Sequence, residues 1–264
     1  MSCVGNSHAG GAGHVKGAGA LALRLLLASW LVVGSMVGVR AEENPAHPAS
    51  KFDPTSAYRE QRIEGWRILV NERLLSETNL CDRTLKLLGV RLYQITRAVP
   101  AGPLAKLRQI PIWVERSSKQ FPCMCYHESR EWLSTHGVNP EKTGAVELAN
   151  PETFLTWTRE QPWMVLHELA HGYHKLFLGE DHPELKRCYE NAKAAGKYAS
   201  VLRFSGRMEK HYALNNVKEY FAEATEAFFG TNDFYPFVRA ELKEHDPEVF
   251  QVLWRVWELP PARD

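Results

Sequence analysis

The chain has 264 residues, 44% of them hydrophobic and 24% charged, proportions of a folded globular protein and not of a disordered or collagenous one. A formal charge of +1 gives no basic surface for a polyanion, so nucleic acid is not expected as a partner. Residues 1–41 hold three of the 32 basic residues (Lys16, Arg24, Arg40) and no acid; without them 29 basic face 31 acidic residues, and the charge is −2.

Those first 41 residues read as a signal peptide. Lys16 and Arg24 supply a positive start, and Leu25 to Val39 is an apolar run interrupted only by small residues. Val39 and Ala41 stand at the −3 and −1 positions of a cleavage site, ahead of Glu42 and Glu43. The run is shorter than the roughly 20 residues that span a bilayer, so contact with a membrane is expected only if the segment is retained as an anchor. Export, to the periplasm, the cell surface or the medium, is the expectation. Cys81, Cys123, Cys125 and Cys188 then remain in an oxidising compartment. A bond between Cys123 and Cys125 would close a strained, tiny ring, so Cys81 and Cys188 are each expected to pair with one of them. Cys123-x-Cys125-x-His127 does not have the usual spacing of a zinc site and is set aside.

Residues 42–56, with Pro45, Pro48 and Pro54, read as a linker, and 57–264 as a single domain. Ile63, Trp66, Leu69 and Val70 recur at helical spacing and predict a helix from Ala57 to Glu77. A second helix is predicted from Arg83 to Arg97, ended by Pro100 and Pro103. Gln109 to Glu115 alternates, with Ile110, Ile112 and Val114 on one side, which predicts a half-buried strand; Pro111 suits an edge position. Ala145 to Ala149 is a further short strand, with Val146 and Leu148 on one face. Helices follow at Pro162 to Leu178, ended by Gly179, at Asn216 to Phe229, ended by Gly230, and within Glu241 to Glu258. The order of helices, small sheet and helices predicts an α+β domain with a mainly helical C-terminal half.

The strongest chemical signal is His167-Glu168-Leu169-Ala170-His171, an H-E-x-x-H motif inside a helical stretch. Four residues advance a helix by about 6 Å and return to within about 40° of the same direction, so both imidazoles can reach one Zn²⁺. Glu168, one step around, can take a proton from a water held at that ion. On an otherwise apolar helix the three polar groups would be costly to bury without such a partner. Catalytic zinc needs a third protein ligand. An arrangement with a glycine three residues and a histidine six residues after the second histidine fails, because those positions are His174 and Phe177. Glu219 and Glu223, one helical turn apart, offer the alternative: Glu219 as ligand and Glu223 hydrogen-bonded to a ligand imidazole. Without the H-E-x-x-H helix, Glu219, Glu223 and Glu226 would read as a solvated stripe; with a ligand missing, Glu219 is the stronger reading. Glu180, Asp181 and His182 are rivals too near the end of the first helix to fold back, and His174 and His211 suit the rim of the site. Trp113, on the expected edge strand, would line a groove for an extended peptide or pack in the core.

Tyr212 to Glu223, with Tyr212 seven residues before Glu219 and Tyr220-Phe221 after it, resembles the catalytic domain of anthrax lethal factor and its relatives, which are gluzincins. The stretch 232–237 looks like that of small exported bacterial relatives of that group. The resemblance implies a zincin-like metallopeptidase domain, with an active-site helix beside a small mixed sheet. It implies His167, His171 and Glu219 as zinc ligands, Glu168 as general base, Tyr212 as donor to the developing oxyanion, and Glu223 as an outer hydrogen-bond partner. A peptide or protein substrate follows, without the toxin's own partner, whose binding domains have no room here. Two competing functions are a catalytically inactive zincin-fold binding protein and a zinc hydrolase of a non-peptide amide such as a cell-wall cross-link.

Overall fold

The computed structural model describes residues 2–3 and 52–260, and those from 52 onward belong to one contact unit. Apart from Ser2–Cys3, the expected signal peptide lies outside the described residues, as does the expected linker up to residue 51. Residues 52–56 are tied to the domain: Asp53 accepts from Asn71 at 2.8 Å, and Asn139 donates to Thr55 at 3.1 Å. No helix among the described residues is long and apolar enough to cross a membrane.

In chain order the strands and helices are β1 (Ser2–Cys3), β2 (Tyr58–Ile63), β3 (Trp66–Asn71), α1 (Glu72–Leu75), α2 (Thr78–Ala98), α3 (Ala101–Leu107), β4 (Ile112–Val114) and β5 (Met124–Tyr126). There follow α4 (Arg130–Thr135), β6 (Val146–Leu148), α5 (Pro151–Trp157), α6 (Met164–Tyr173), α7 (Pro183–Ala194), β7 (Val201–Leu202), β8 (Met208–Glu209), α8 (Val217–Phe229), α9 (Arg239–His245) and α10 (Pro247–Val256). The result is α+β, with a small mixed sheet and a helical C-terminal half. Strands run β1-β5-β6-β4-β3-β2, with β3, β4 and β6 parallel to one another and the remaining pairs antiparallel.

The stretch read as a helix from Ala57 to Glu77 is instead the hairpin β2–β3, with α1 after it. Ile63 pairs with Trp66, and Glu64 and Gly65 between them have φ of 52° and 91°. Two positive φ values in a two-residue turn match the right-handed twist of a hairpin, and glycine takes such a conformation without strain. All of β3 except Arg67 is buried, because both of its faces are covered; a run buried on two sides has no alternation to betray it.

The strand expected at an edge is an interior one. β4 lies between β3 and β6, and all three of its residues are buried. Pro111 sits just before it and costs the ladder nothing, its carbonyl accepting from Val146 N–H at 3.0 Å. Trp113 is a packing residue, edge-on to Tyr58 at 4.7 Å in a small cluster with Leu69 and Ala145.

The sheet's two faces differ. Ile68, Val70, Ile112, Val114, Met124, Tyr126, Val146 and Leu148 join the main core with Val165, Leu166 and Leu169 of α6. Fully burying such a side chain contributes about 1.5–3 kcal/mol, so this layer fixes α6 against β5 and β6. Gly172 permits the approach: a Cβ there would stand 2.6 Å from Ile110 Cδ1 and 3.0 Å from a Tyr126 ring carbon. The other face carries Asn71, Glu115, Glu147 and His127 among apolar neighbours, all buried.

No disulfide joins any of Cys81, Cys123, Cys125 and Cys188, contrary to expectation. Positions two apart on a strand share a face, but Cys123 stands just before β5 and does not follow that alternation, so the two thiols part. Cys123 faces the core, 3.5 Å from the Met164 sulfur, while Cys125 faces away, beside Phe121 and Leu133. Cys81 lies on α2 and Cys188 on α7. Burial first, then Glu248 and Asp246, push the Cys188 thiol up to about 11, so it stays protonated.

Candidate metal centre

α6 and α8 pack against each other, and every residue of α6 is buried. Beyond Tyr173 the helix widens into a π-helical turn, His174–Leu178, which stops at Gly179 with φ of 86°. α8 begins at a well-made cap: the Asn216 side chain accepts from Lys218 N–H at 2.9 Å and from Glu219 N–H at 3.0 Å. Such a cap is worth about 0.5–2 kcal/mol, and here it also sets the residue it holds, Glu219, at the mouth of the helix.

His167, His171 and Glu219 are brought together. Glu219 Oε2 lies 3.1 Å from His167 Nε2 and 3.3 Å from His171 Nε2, and the two imidazole rings stand at 79° with centroids 4.8 Å apart. Donors about 2.0–2.1 Å from a tetrahedral zinc are about 3.3 Å from one another. Both imidazole-to-carboxylate distances therefore match an edge of such a coordination shell, the three residues' donor atoms lie within 4.8 Å of one another, and two nitrogens with one carboxylate oxygen are zinc-binding chemistry. The residues fit the ion.

The imidazole nitrogen turned away from that point is also held. His167 Nδ1 donates to Glu226 Oε1 at 2.7 Å, and the same oxygen accepts from Gln161 Nε2 at 2.9 Å. A proton on Nδ1 leaves the Nε2 lone pair for a metal. The sequence reading gave this task to Glu223, and the structure gives it to Glu226. Glu223 stands 3.7 Å from His167 Nδ1, with Oε2 accepting from Asn232 at 2.8 Å. Glu219, Glu223 and Glu226 do share a helix face, but it is turned to α6 and buried instead of solvated. Glu226→Ala should weaken zinc binding by about 10–100-fold, the usual cost of losing such a partner. Competition against a chromophoric chelator measures it; unchanged affinity would show that this bond does not orient the ligand.

The electrostatics follow from crowding carboxylates and imidazoles away from water. Burial alone would raise the Glu219 carboxyl, but His171 and His167 outweigh it and hold it well below the usual carboxylate range. Burial also disfavours charge on His167, and there Glu219 and Glu226 win and raise it. His171 is lowered, chiefly by burial, which keeps the neutral form that a metal needs. Glu223 is raised well above its ordinary value by burial and by Glu226.

Glu168 is fully buried on α6, and its charge helps raise the Cys123 thiol, whose largest cause is burial. Tyr212 opens a short 3₁₀ turn, Tyr212–Asn215, directly before the cap of α8. His211 fixes that turn: its Nδ1 accepts from Ala213 N–H at 3.1 Å and its ring stacks on Phe234 at 4.8 Å. Burial pushes the His211 imidazole down to about 3, so it accepts as the neutral form. His174 lies buried against Phe221 at 5.2 Å, pushed down to about 4 by burial and then by His171. Of the rivals, His182 caps α7, and Glu180 pairs with Lys175 at 2.7 Å and Lys218 at 3.2 Å. Neither joins the cluster.

Sequence reasoning named Glu226 only as part of a helix face, touched Asn232 only within the 232–237 stretch, and missed Gln161; the signal for Glu226 was the i, i+4, i+7 spacing it shares with Glu219 and Glu223.

No family model matches the sequence, and no curated protein matches it. Among solved structures the chain is similar to the PRO-PRO endopeptidase PPEP-2 from Paenibacillus alvei, with a TM-score of 0.38 and 17% identity over 65% of this chain and 89% of that one. A likeness of that size carries no argument for activity or substrate.

Proposed function

We propose that the chain is a zinc-dependent endopeptidase in which His167, His171 and Glu219 hold the ion and Glu168 is the general base. The observation that carries it is the meeting of three donor atoms from two helices within 4.8 Å of one another, with Glu168 on the same helix between the two histidines. A bound zinc supplies Lewis acidity, polarising the scissile carbonyl and acidifying the attacking water. Glu168 takes the proton as water attacks and passes it to the leaving amine. Tyr212, as the resemblance to lethal factor implies, donates to the oxygen on which negative charge develops. Glu226 and Gln161 keep the His167 ring in the orientation that presents Nε2, and Asn232 keeps Glu223 in place behind it.

The substrate peptide is assigned to the outer edge of β5, not β4. That edge takes an antiparallel partner, pairing with Ser2 and Cys3, and the helix that carries Glu168, α6, packs against β5. Main-chain hydrogen bonds along such an edge hold a peptide extended with little regard to its side chains. Given the leader-like first 41 residues, the protein would act outside the cytoplasm.

The test is cleavage-site profiling of the purified protein with peptide libraries and with cell-wall fragments, each with and without a chelator. Chelator-sensitive peptide cleavage supports the proposal. Hydrolysis of cell-wall amides alone would transfer the same centre to a different bond, and zinc binding without any hydrolysis would leave a binding protein.

A further inference from the structure

On the face of the sheet turned away from α6, three different metal-ligating side chains meet. Cys125 lies on β5, and His127, two residues on, points to the same side. Glu147 of β6 is the register partner of Cys125. Cys125 Sγ is 3.7 Å from His127 Nε2, that nitrogen contacts Glu147 Oε2, and the three donor atoms all lie within 4.8 Å of one another. All three residues are buried. For zinc at about 2.3 Å from sulfur and 2.0–2.1 Å from nitrogen, a tetrahedral sulfur–nitrogen edge is about 3.6 Å. That sulfur–nitrogen spacing is that of a ligand pair, while His127 Nε2 and Glu147 Oε2 are in direct hydrogen-bond contact, which a bound ion would replace.

The surroundings are those of a held ligand set. Glu147 turns its other oxygen, Oε1, to Lys142 Nζ at 2.9 Å, leaving Oε2 directed at the cluster. Lys142 also bonds Glu115 Oε1 at 2.6 Å, and Glu115 accepts from the Tyr58 hydroxyl and from Asn71 at 3.2 Å. Ligating carboxylates are usually steadied in this way. One lysine beside two buried carboxylates leaves a negative charge over, which a protonated His127 offsets in the absence of a metal and a divalent cation with the Cys125 thiolate offsets in its presence. Glu147 and Lys142 also reach the wall of a cavity of about 370 Å³.

We propose that Cys125, His127 and Glu147 form a second zinc site that clamps β5 to β6, separate from the His167 centre and independent of peptidase activity. Sulfur, nitrogen and carboxylate oxygen together suit zinc better than magnesium or calcium. Binding would release the thiol proton to solvent, and the metal would provide the cross-link that no disulfide among these cysteines supplies.

Loading the purified protein with Co²⁺ tests this on the wild type. Two equivalents per chain are expected, together with a sulfur-to-cobalt charge-transfer band in the near ultraviolet, which a nitrogen-and-oxygen centre cannot give. Cys125→Ser should lose the band and one of the two equivalents, while Glu219→Ala should keep the band. One equivalent and no band in the wild type would overturn the proposal whatever becomes of the serine variant, leaving His127 and Glu147 as an ion pair. A band that survives Cys125→Ser would overturn it by placing the thiolate elsewhere. A band with no metal at the histidine pair would sink the peptidase and leave this site standing.

Discussion

Glu168→Gln should bind zinc at the His167 centre as the wild type does and lose about 10²–10⁴-fold in kcat, the usual contribution of a positioned general base. The amide is close to the carboxylate in size and the position is fully buried, so the packing of α6 on the sheet survives the exchange. What is lost is the ability to accept a proton. Since the group acts during attack and departure and not in holding the peptide, KM should move little and kcat/KM should fall with kcat. The measurement is steady-state cleavage of a profiled peptide, with metal content determined on the same preparation. Wild-type turnover with full metal would falsify the assignment of Glu168. A fall in metal content would recast it as a structural support of the centre.

Legibility in the sequence followed the range of the forces involved. α6 and α8 were readable because one helix face repeats locally, and because Gly179 and Gly230 stand just past their ends. Asn216, where the sequence starts that helix, is the residue whose side chain caps it. The H-E-x-x-H spacing states its own geometry. β3 was not readable, since burial on both faces erases alternation, and its chance spacing of Trp66, Leu69 and Val70 imitates a helix. The Glu64-Gly65 turn was the overlooked local clue. Strand order was beyond reach: nothing near Pro111 says that β3 and β6 will flank β4, so an edge was the local inference and an interior strand the global result. The same limit governed the site. Glu219 could be nominated because a ligand was missing, but choosing between Glu223 and Glu226 for the His167 nitrogen requires the crossing of two helices. Glu147 could not be joined to Cys125 and His127 without the register of β5 on β6.

Glu219→Ala should cost more metal affinity than the roughly 10–100-fold lost with an outer partner, because it removes a donor atom and leaves the two imidazoles of α6 alone. At ordinary free zinc the variant should carry one equivalent fewer than the wild type, and peptide cleavage should disappear with it. Neighbouring carboxylates do not restore the ligand. Glu226 is engaged with His167 Nδ1 and Gln161, and Glu223 with Asn232, on the far side of the imidazole from the donor cluster. Removing Glu219 also takes away the charge that sits against both histidines, so the imidazoles lose their main reason to face one another across it. Glu219→Gln separates the two effects, since its amide oxygen keeps the shape and a weak donor without the charge. Its zinc affinity should fall between those of the wild type and the alanine variant. Metal retained at full stoichiometry and affinity in Glu219→Ala would place the third ligand elsewhere, and the joint grip of α6 and α8 on one ion would no longer account for the buried cluster between them.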